Sequence, residues 1–253
     1  MLICYEQPLN ERVRTLLRLE HLFTQADAHW QSDSPWDSQT ALLAILDILA
    51  LCGRSDLKQE ILKELERQRG VLAVMSHNPR VDHSRLGALL ERLAGLENRL
   101  HAVEGPLGQA LRDHDFLTAV RQRMAIPGGA CDFDLPQFHY WLHRPAPQRS
   151  GELHTWLGAF DLLRQVVDVL LGLIRDSAQA RAEVAEAGFY QRALDIQTPF
   201  QLVRVQLPED ASCFPEISAG RHRFSVRFLT LGTEGRNHPC GSDVQFLLSC
   251  CAL

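Results

Sequence analysis

His222-Arg223-Phe224-Ser225-Val226-Arg227-Phe228-Leu229 alternates with a period of two. In an extended chain His222, Phe224, Val226 and Phe228 fall on one face, and Arg223, Ser225 and Arg227 fall on the other with Arg221 before them. Successive side chains of a strand point to opposite sides, so this is the pattern of a half-buried strand, expected over Arg221–Leu231. On either side, Phe200–Leu207 and Val244–Cys251 follow the same period. Gln201, Val203, Val205 and Leu207 share one face, with Arg204 opposite. Pro208, Pro215, Gly232, Gly235 and Pro239 punctuate these segments as turn residues do. Three short strands close together predict a small antiparallel sheet. Ala178–Thr198, which contains Gly188, is expected to be irregular.

Upstream the period changes to that of a helix. Over Leu9–Gln25, Val13, Leu16, Leu17 and Phe23 form one apolar sector. Glu20 falls in that sector and calls for a partner. His29–Asp37 reads as a loop. Asp37 or Ser38 can cap a second helix through Leu51, ended by Gly53, and Ser55 can cap a third to about Met75. Asn78-Pro79 is a break, and Asp82 can cap a fourth helix to about His101. After Gly105-Pro106, Leu107–Met124 is again helical, and Pro127-Gly128-Gly129 is a tight turn. Pro136–His143 suits a short helix closed by Pro145 and Pro147. Ser150 opens a last helical region, Glu152–Arg175, interrupted near Gly158. Leu2–Glu6 reads as a strand ended by Pro8, and it has no local partner, so it is expected to join the C-terminal sheet. The fold class is therefore α+β: a mostly helical domain over residues 9–177 and a small antiparallel β domain over 178–253, with strand 2–6 joining it.

Composition bounds the function. The chain has 253 residues and a formal net charge of −5. An acidic whole disfavours general nucleic-acid binding. Of 26 basic residues only Lys58 and Lys63 are lysine. Codon usage accounts for that bias, yet arginine forks also suit carboxylate recognition better than lysine. If the strands bury their apolar faces on a common core, Arg204, Arg223 and Arg227 lie on the exposed side. Such a face is either solubilising, paired with nearby acids, or an anion-attracting surface. The N-terminus lacks the charged and apolar regions of a signal peptide, and no apolar run approaches the roughly 20 residues that span a bilayer. A soluble cytoplasmic protein is expected. The seven cysteines are odd in number and contain no C-x-x-C pair, so most are expected to be buried free thiols.

Recognisable catalytic motifs are missing from the sequence. No phosphate-binding glycine loop, nucleophile elbow or H-E-x-x-H occurs. His139 and His143 have the i,i+4 spacing of metal ligands on one helix, and Cys131 with His139 can be drawn as a nucleophile and base. A thiol- or metal-dependent hydrolase using Cys131, His139 and His143 is thus the alternative to a binding protein, although no third ligand or orienting group is evident.

Several segments taken together resemble one family. They are Gln7-Pro8-Leu9-Asn10-Glu11-Arg12-Val13-Arg14-Thr15-Leu16-Leu17-Arg18-Leu19-Glu20, Leu62–Gln68, Val120-Arg121-Gln122-Arg123, Ile126-Pro127-Gly128-Gly129, Phe133-Asp134-Leu135-Pro136 with Trp141-Leu142-His143, Gly188-Phe189-Tyr190-Gln191 and Arg223–Phe228. In this order they resemble the ZapD family of Z-ring-associated bacterial cell-division proteins, from about Tyr5 to the C-terminal cysteines. The resemblance implies a non-enzymatic cytoplasmic protein with no cofactor or metal, recruited to the division site at midcell. It implies a homodimer that binds the C-terminal tail of the tubulin-like protein FtsZ, and thereby cross-links and bundles FtsZ filaments to stabilise the Z-ring. It implies no nucleic-acid partner and no membrane insertion. Carried over by motif position, the implied tail-binding residues are Arg18, Arg54, His139, Arg223 and Arg227; strand parity adds Arg204. Asp115 stands where the family has a basic residue.

Overall fold

The computed structural model describes every residue from Met1 to Leu253 except Ser55, Arg80, Ile196, Arg221, Thr233 and Glu234, together with the side chain of His77. The suggested Ser55 cap and the Arg221 start of a strand lie outside the described residues. The chain divides into two compact units, Thr15–Leu170 and Met1–Arg14 with Leu171–Leu253.

The helices are α1 (Glu11–His29), α2 (Pro35–Leu51), α3 (Leu57–Val74), α4 (His83–Ala102), α5 (Gln109–Arg112), α6 (Asp115–Met124), α7 (Pro136–Leu142), α8 (Ala146–Gly158) and α9 (Asp161–Asp176). α1 starts where the Asn10 side chain accepts the Val13 amide at 2.9 Å, and it runs past Gln25. α2 begins at Pro35 rather than at Asp37 or Ser38, because proline at a helix start gives up an amide that has no partner there. Asp37 instead lies in the first turn, hydrogen-bonded to Ser32 Oγ at 2.5 Å and His29 Nδ1 at 2.7 Å. The bond from Ser32, then that from His29, holds its carboxyl below the usual range. Ala41, Leu42, Ala44, Ile45, Leu46, Ile48 and Leu49 are all buried, so α2 is apolar around most of its circumference and forms the centre of its unit, against α7 and α8. α3 and α4 pack as a hairpin, and Asp82 caps α4 by accepting the Ser84 and Arg85 amides at 3.0 and 3.1 Å.

Three helical expectations change. The single helix Leu107–Met124 is broken into α5 and α6 at Asp113–His114. His114 takes an extended conformation at the start of α6, and its ring meets Trp156 edge-on at 5.7 Å, within a cluster of Phe116, Phe138, Trp141 and Trp156. Pro145 and Pro147 open α8 instead of only closing α7, for the same reason that Pro35 opens α2. α8 therefore begins at Ala146, and Ala159–Phe160 separates it from α9.

The strands are β1 (Leu2–Pro8), β2 (Arg181–Ala185), β3 (Phe189–Ala193), β4 (Leu202–Pro208), β5 (Phe214–Ala219), β6 (Arg223–Leu231), β7 (Asn237–Pro239) and β8 (Val244–Cys251). β1 joins the C-terminal strands as expected, antiparallel to β4 from Leu2↔Pro208 to Pro8↔Leu202, and it continues through Pro8 because a proline is tolerated on an edge strand. The strands form two sheets rather than one, β1-β4-β8-β2 and β3-β6-β5 with β7 also on β6. Their inner faces share one core of Val203, Val205, Leu207, Phe224, Val226, Phe228, Val244, Phe246 and Leu248. The stretch Ala178–Thr198, expected to be irregular, holds β2 and β3, which a tight turn joins although they enter different sheets, β2 beside β8 and β3 beside β6. Glu186 bridges Phe189 around Ala187 and Gly188, whose φ values are +46° and +73°. Two successive positive φ angles make the primed turn whose twist suits a hairpin. Glycine tolerates this readily; alanine does not advertise it, and the Ala- and Glu-rich composition hides the strands.

Candidate basic binding face

The outer face of β6 is built by alternation. Phe224, Val226 and Phe228 are buried, so Arg223, Ser225 and Arg227 must point away from the core. β3 and β5 flank them in register: Ala193 beside Arg223, Gln191 and Ser218 beside Ser225, and Phe189 and Glu216 beside Arg227. Small residues between the two arginines leave a concavity of about 420 Å³ lined by Phe189, Gln191, Ser218, Arg223, Ser225 and Arg227. Four residues of strand separate the arginine Cα atoms by about 13 Å. Both guanidinium groups are exposed, and among the described residues neither has a hydrogen bond or ion pair. Glu216 stands opposite Arg227 in register yet is not bonded to it. Phe189 is 44% exposed, a large apolar surface beside two uncompensated cations. This arrangement can hold an extended acidic chain: carboxylates for the two forks and an apolar side chain for Phe189.

Arg204 does not belong to this face. It lies on β4, in the other sheet, and pairing in one sheet with β6 does not occur. Its Nε donates to Glu6 Oε1 at 2.8 Å. Arg175 donates to both Glu6 oxygens, at 2.8 and 2.6 Å. One half-buried carboxylate thus balances two arginines on the outer side of the first sheet, and the charge of Arg204 is spent on the fold.

The other sequence candidates lie in the helical unit on separate elements. Arg18 is exposed on α1 with no bonded partner among the described residues. Arg54, between α2 and α3, pairs with Asp56 at 3.3 Å and more distantly with Glu60 at 3.9 Å. The hydrogen bond that it donates to Asp56 leads in raising its guanidinium pKa. His139 is exposed on α7 with its ring 4.3 Å from that of His143, which in turn bonds the His139 carbonyl at 2.8 Å. Cys131 is exposed, and its carbonyl serves the backbone turn into α7 by accepting the Leu135 amide at 2.9 Å. Among the described residues no group of three or more His, Cys, Asp or Glu is placed to hold a metal. Asp115 sits in the first turn of α6, where an acid complements the helix dipole. No described helix is long and apolar enough to cross a membrane.

Phe189 and Gln191 complete the face, and the short run of β3 shows too little alternation to reveal them from sequence. The signal that could have done so is the Ala187-Gly188 turn between two short alternating runs. A family model described as ZapD, a cell division protein, matches residues 17–227.

The chain belongs to the ZapD family of cell-division proteins.

Relatives agree along the full length. The cell division protein ZapD of Methylococcus capsulatus is 41% identical over 251 residues, covering 99% of this chain and 98% of its own. That of Aromatoleum aromaticum is 39% identical, covering 99% and 98%. That of Ralstonia pickettii is 39% identical, covering 99% of both chains. The ZapD match includes Arg18, Arg54, His139 and Arg204, and its last residues are those of the β6 face through Arg227.

Proposed function

We propose that this ZapD-family chain acts in the cytoplasm at the midcell division site, where it binds the C-terminal tail of FtsZ and, as a homodimer, cross-links FtsZ filaments into bundles that stabilise the Z-ring. The observation that carries the reading is the β6 face, where Arg223 and Arg227 stand uncompensated beside exposed Phe189 in a chain of net charge −5. An acidic tail with apolar anchors would suit the two arginine forks and exposed Phe189 of that face. Arg18, exposed and without a bonded partner among the described residues, is a further contact; Arg54 and His139 contribute from their own elements. Arg204 takes no direct part, because Glu6 holds it. Two tail sites in a dimer gain strength on a filament with many tails by raising the effective concentration at the second site.

A labelled FtsZ tail peptide titrated with the full chain tests the site. Binding should be saturable at low salt and weaken steeply as salt rises, because the contacts are solvent-exposed charges. No binding at low salt would reject the tail as ligand.

A further inference from the structure

The edge strands β2 and β3 leave one tight turn for different sheets, and both carry charge on their inner faces. On β2, Arg181 pairs with Leu248 and Glu183 with Phe246 of β8. On β3, Tyr190 pairs with Val226 and Arg192 with Phe224 of β6. Residues directly opposite in an antiparallel pair share a face. Leu248, Phe246, Val226 and Phe224 belong to the shared core, so Arg181, Glu183, Tyr190 and Arg192 stand on the core side of their sheets. Cys250 stands there too, through its pairing with core Val203.

Between the two sheets lies a cavity of about 440 Å³, lined by Ser177–Gln179, Arg181, Arg192, Phe200, Cys250 and Ala252. All of these residues belong to the β unit. The volume falls within the roughly 300–1,000 Å³ of small-molecule sites. Phe200 and Cys250 are half-buried against the core and give the cavity an apolar wall. The cations have little to balance them. Among the described residues Arg181 has no hydrogen bond or ion pair, and Arg192 reaches Glu183 only at 3.9 Å, too far for a hydrogen bond. An inward charge can also keep an edge strand from pairing with another chain, but that role needs neither a cavity nor an apolar wall.

We propose that this cavity binds a small amphiphilic carboxylate. The guanidinium groups of Arg181 and Arg192 hold its carboxylate, and its apolar body lies against Phe200, Cys250 and Ala252. Planar arginine forks suit a carboxylate, and removing the apolar body from water adds to the affinity. The site is separate from the β6 face. Phe189 and Gln191 of β3 point out toward Arg223 and Arg227, whereas Tyr190 and Arg192 point in.

Isothermal titration of the full chain with octanoate tests the site, with 1-octanol and inorganic phosphate standing for its two halves. Octanoate should bind saturably, one per chain, and each half-ligand should bind about tenfold more weakly or worse. Arg181→Gln and Arg192→Gln should each weaken octanoate about fivefold or more, with an unchanged circular dichroism spectrum. In nuclear magnetic resonance, octanoate should shift the amide signals of Gln179, Arg181, Cys250 and Ala252. No saturable binding at millimolar octanoate would overturn the proposal and leave the arginines as edge protection. Octanol or phosphate binding as tightly as octanoate would also overturn it, as would full affinity in the Arg181→Gln chain. Shifts confined to the β6 face would place the ligand elsewhere and overturn it equally.

Discussion

Reversing both charges of the β6 face, Arg223→Glu with Arg227→Glu, should weaken binding of an FtsZ tail peptide by about 100-fold or more at low salt. Each guanidinium is exposed and unbonded among the described residues, so its removal breaks nothing in the fold. Its replacement by a carboxylate turns an attraction to an acidic ligand into a repulsion. A tenfold loss per position corresponds to about 1.4 kcal/mol, a modest demand on one charge-assisted contact. The thermal midpoint should stay within a degree or two, since surface substitutions away from packed features alter stability by about 0.5 kcal/mol or less. Arg204→Glu should behave in the opposite way. It sets two acids side by side at Glu6, so it should destabilise the β unit and have little direct effect on the peptide. Isothermal titration or fluorescence anisotropy on the folded variants separates the two outcomes. An unchanged affinity for the double variant would remove the β6 face from the account.

Loss of Arg149 should cause the largest fall in stability. This residue, in the first turns of α8, is only 4% exposed. Its Nε donates to Ser38 Oγ at 3.0 Å, one Nη to the Asp33 carbonyl at 2.6 Å, and the other Nη to the Arg144 carbonyl. Among the described residues it has no acidic partner, so hydroxyl and carbonyl dipoles carry its charge. Arg149→Met keeps most of the volume but strands the buried Ser38 Oγ and the two part-buried carbonyls of Asp33 and Arg144, at about 1–3 kcal/mol for a fully buried acceptor and less for the carbonyls that water can reach. Relief from burying a charge offsets part of that. A net loss of about 3 kcal/mol is expected, a drop of about 10 °C in thermal midpoint for a chain of this size. Arg149→Lys should recover little, because an ammonium lacks the planar fork that reaches three acceptors at once. Helical circular dichroism on heating measures both. A midpoint unchanged in Arg149→Met would mean that the buried network adds nothing.

Much of this architecture was legible because the signals are local. Asp82 stands before an apolar helical pattern and caps α4 with two amides. The alternation through Val203, Val205 and Leu207, and through Phe224, Val226 and Phe228, marked both core faces, and it put Arg223 and Arg227 outside. Alternation tells which face of its own strand a residue occupies, but not which sheet the strand enters. For that reason Arg204, on the outer face of another sheet, could be grouped with Arg223 and Arg227 until the topology separated them. The tight turn between β2 and β3 is hidden because it uses Ala187 at positive φ where asparagine is the usual signal. With it went Phe189, the apolar member of the face. Pro145 and Pro147 suggest a helix end by their type alone, yet the first turn of a helix accepts proline, and there they open α8. Buried Arg149 depends on partners far apart in sequence, so no window of neighbours reveals it.

The central claim is that the chain joins FtsZ filaments through their tails. Its most direct test is sedimentation of assembled filaments with and without the full chain, using intact FtsZ and FtsZ lacking its C-terminal tail. The account predicts that the chain pellets with intact filaments and increases their bundling at low-speed centrifugation, and that it stays in the supernatant with tail-deleted filaments. Equal pelleting and bundling of both would contradict it.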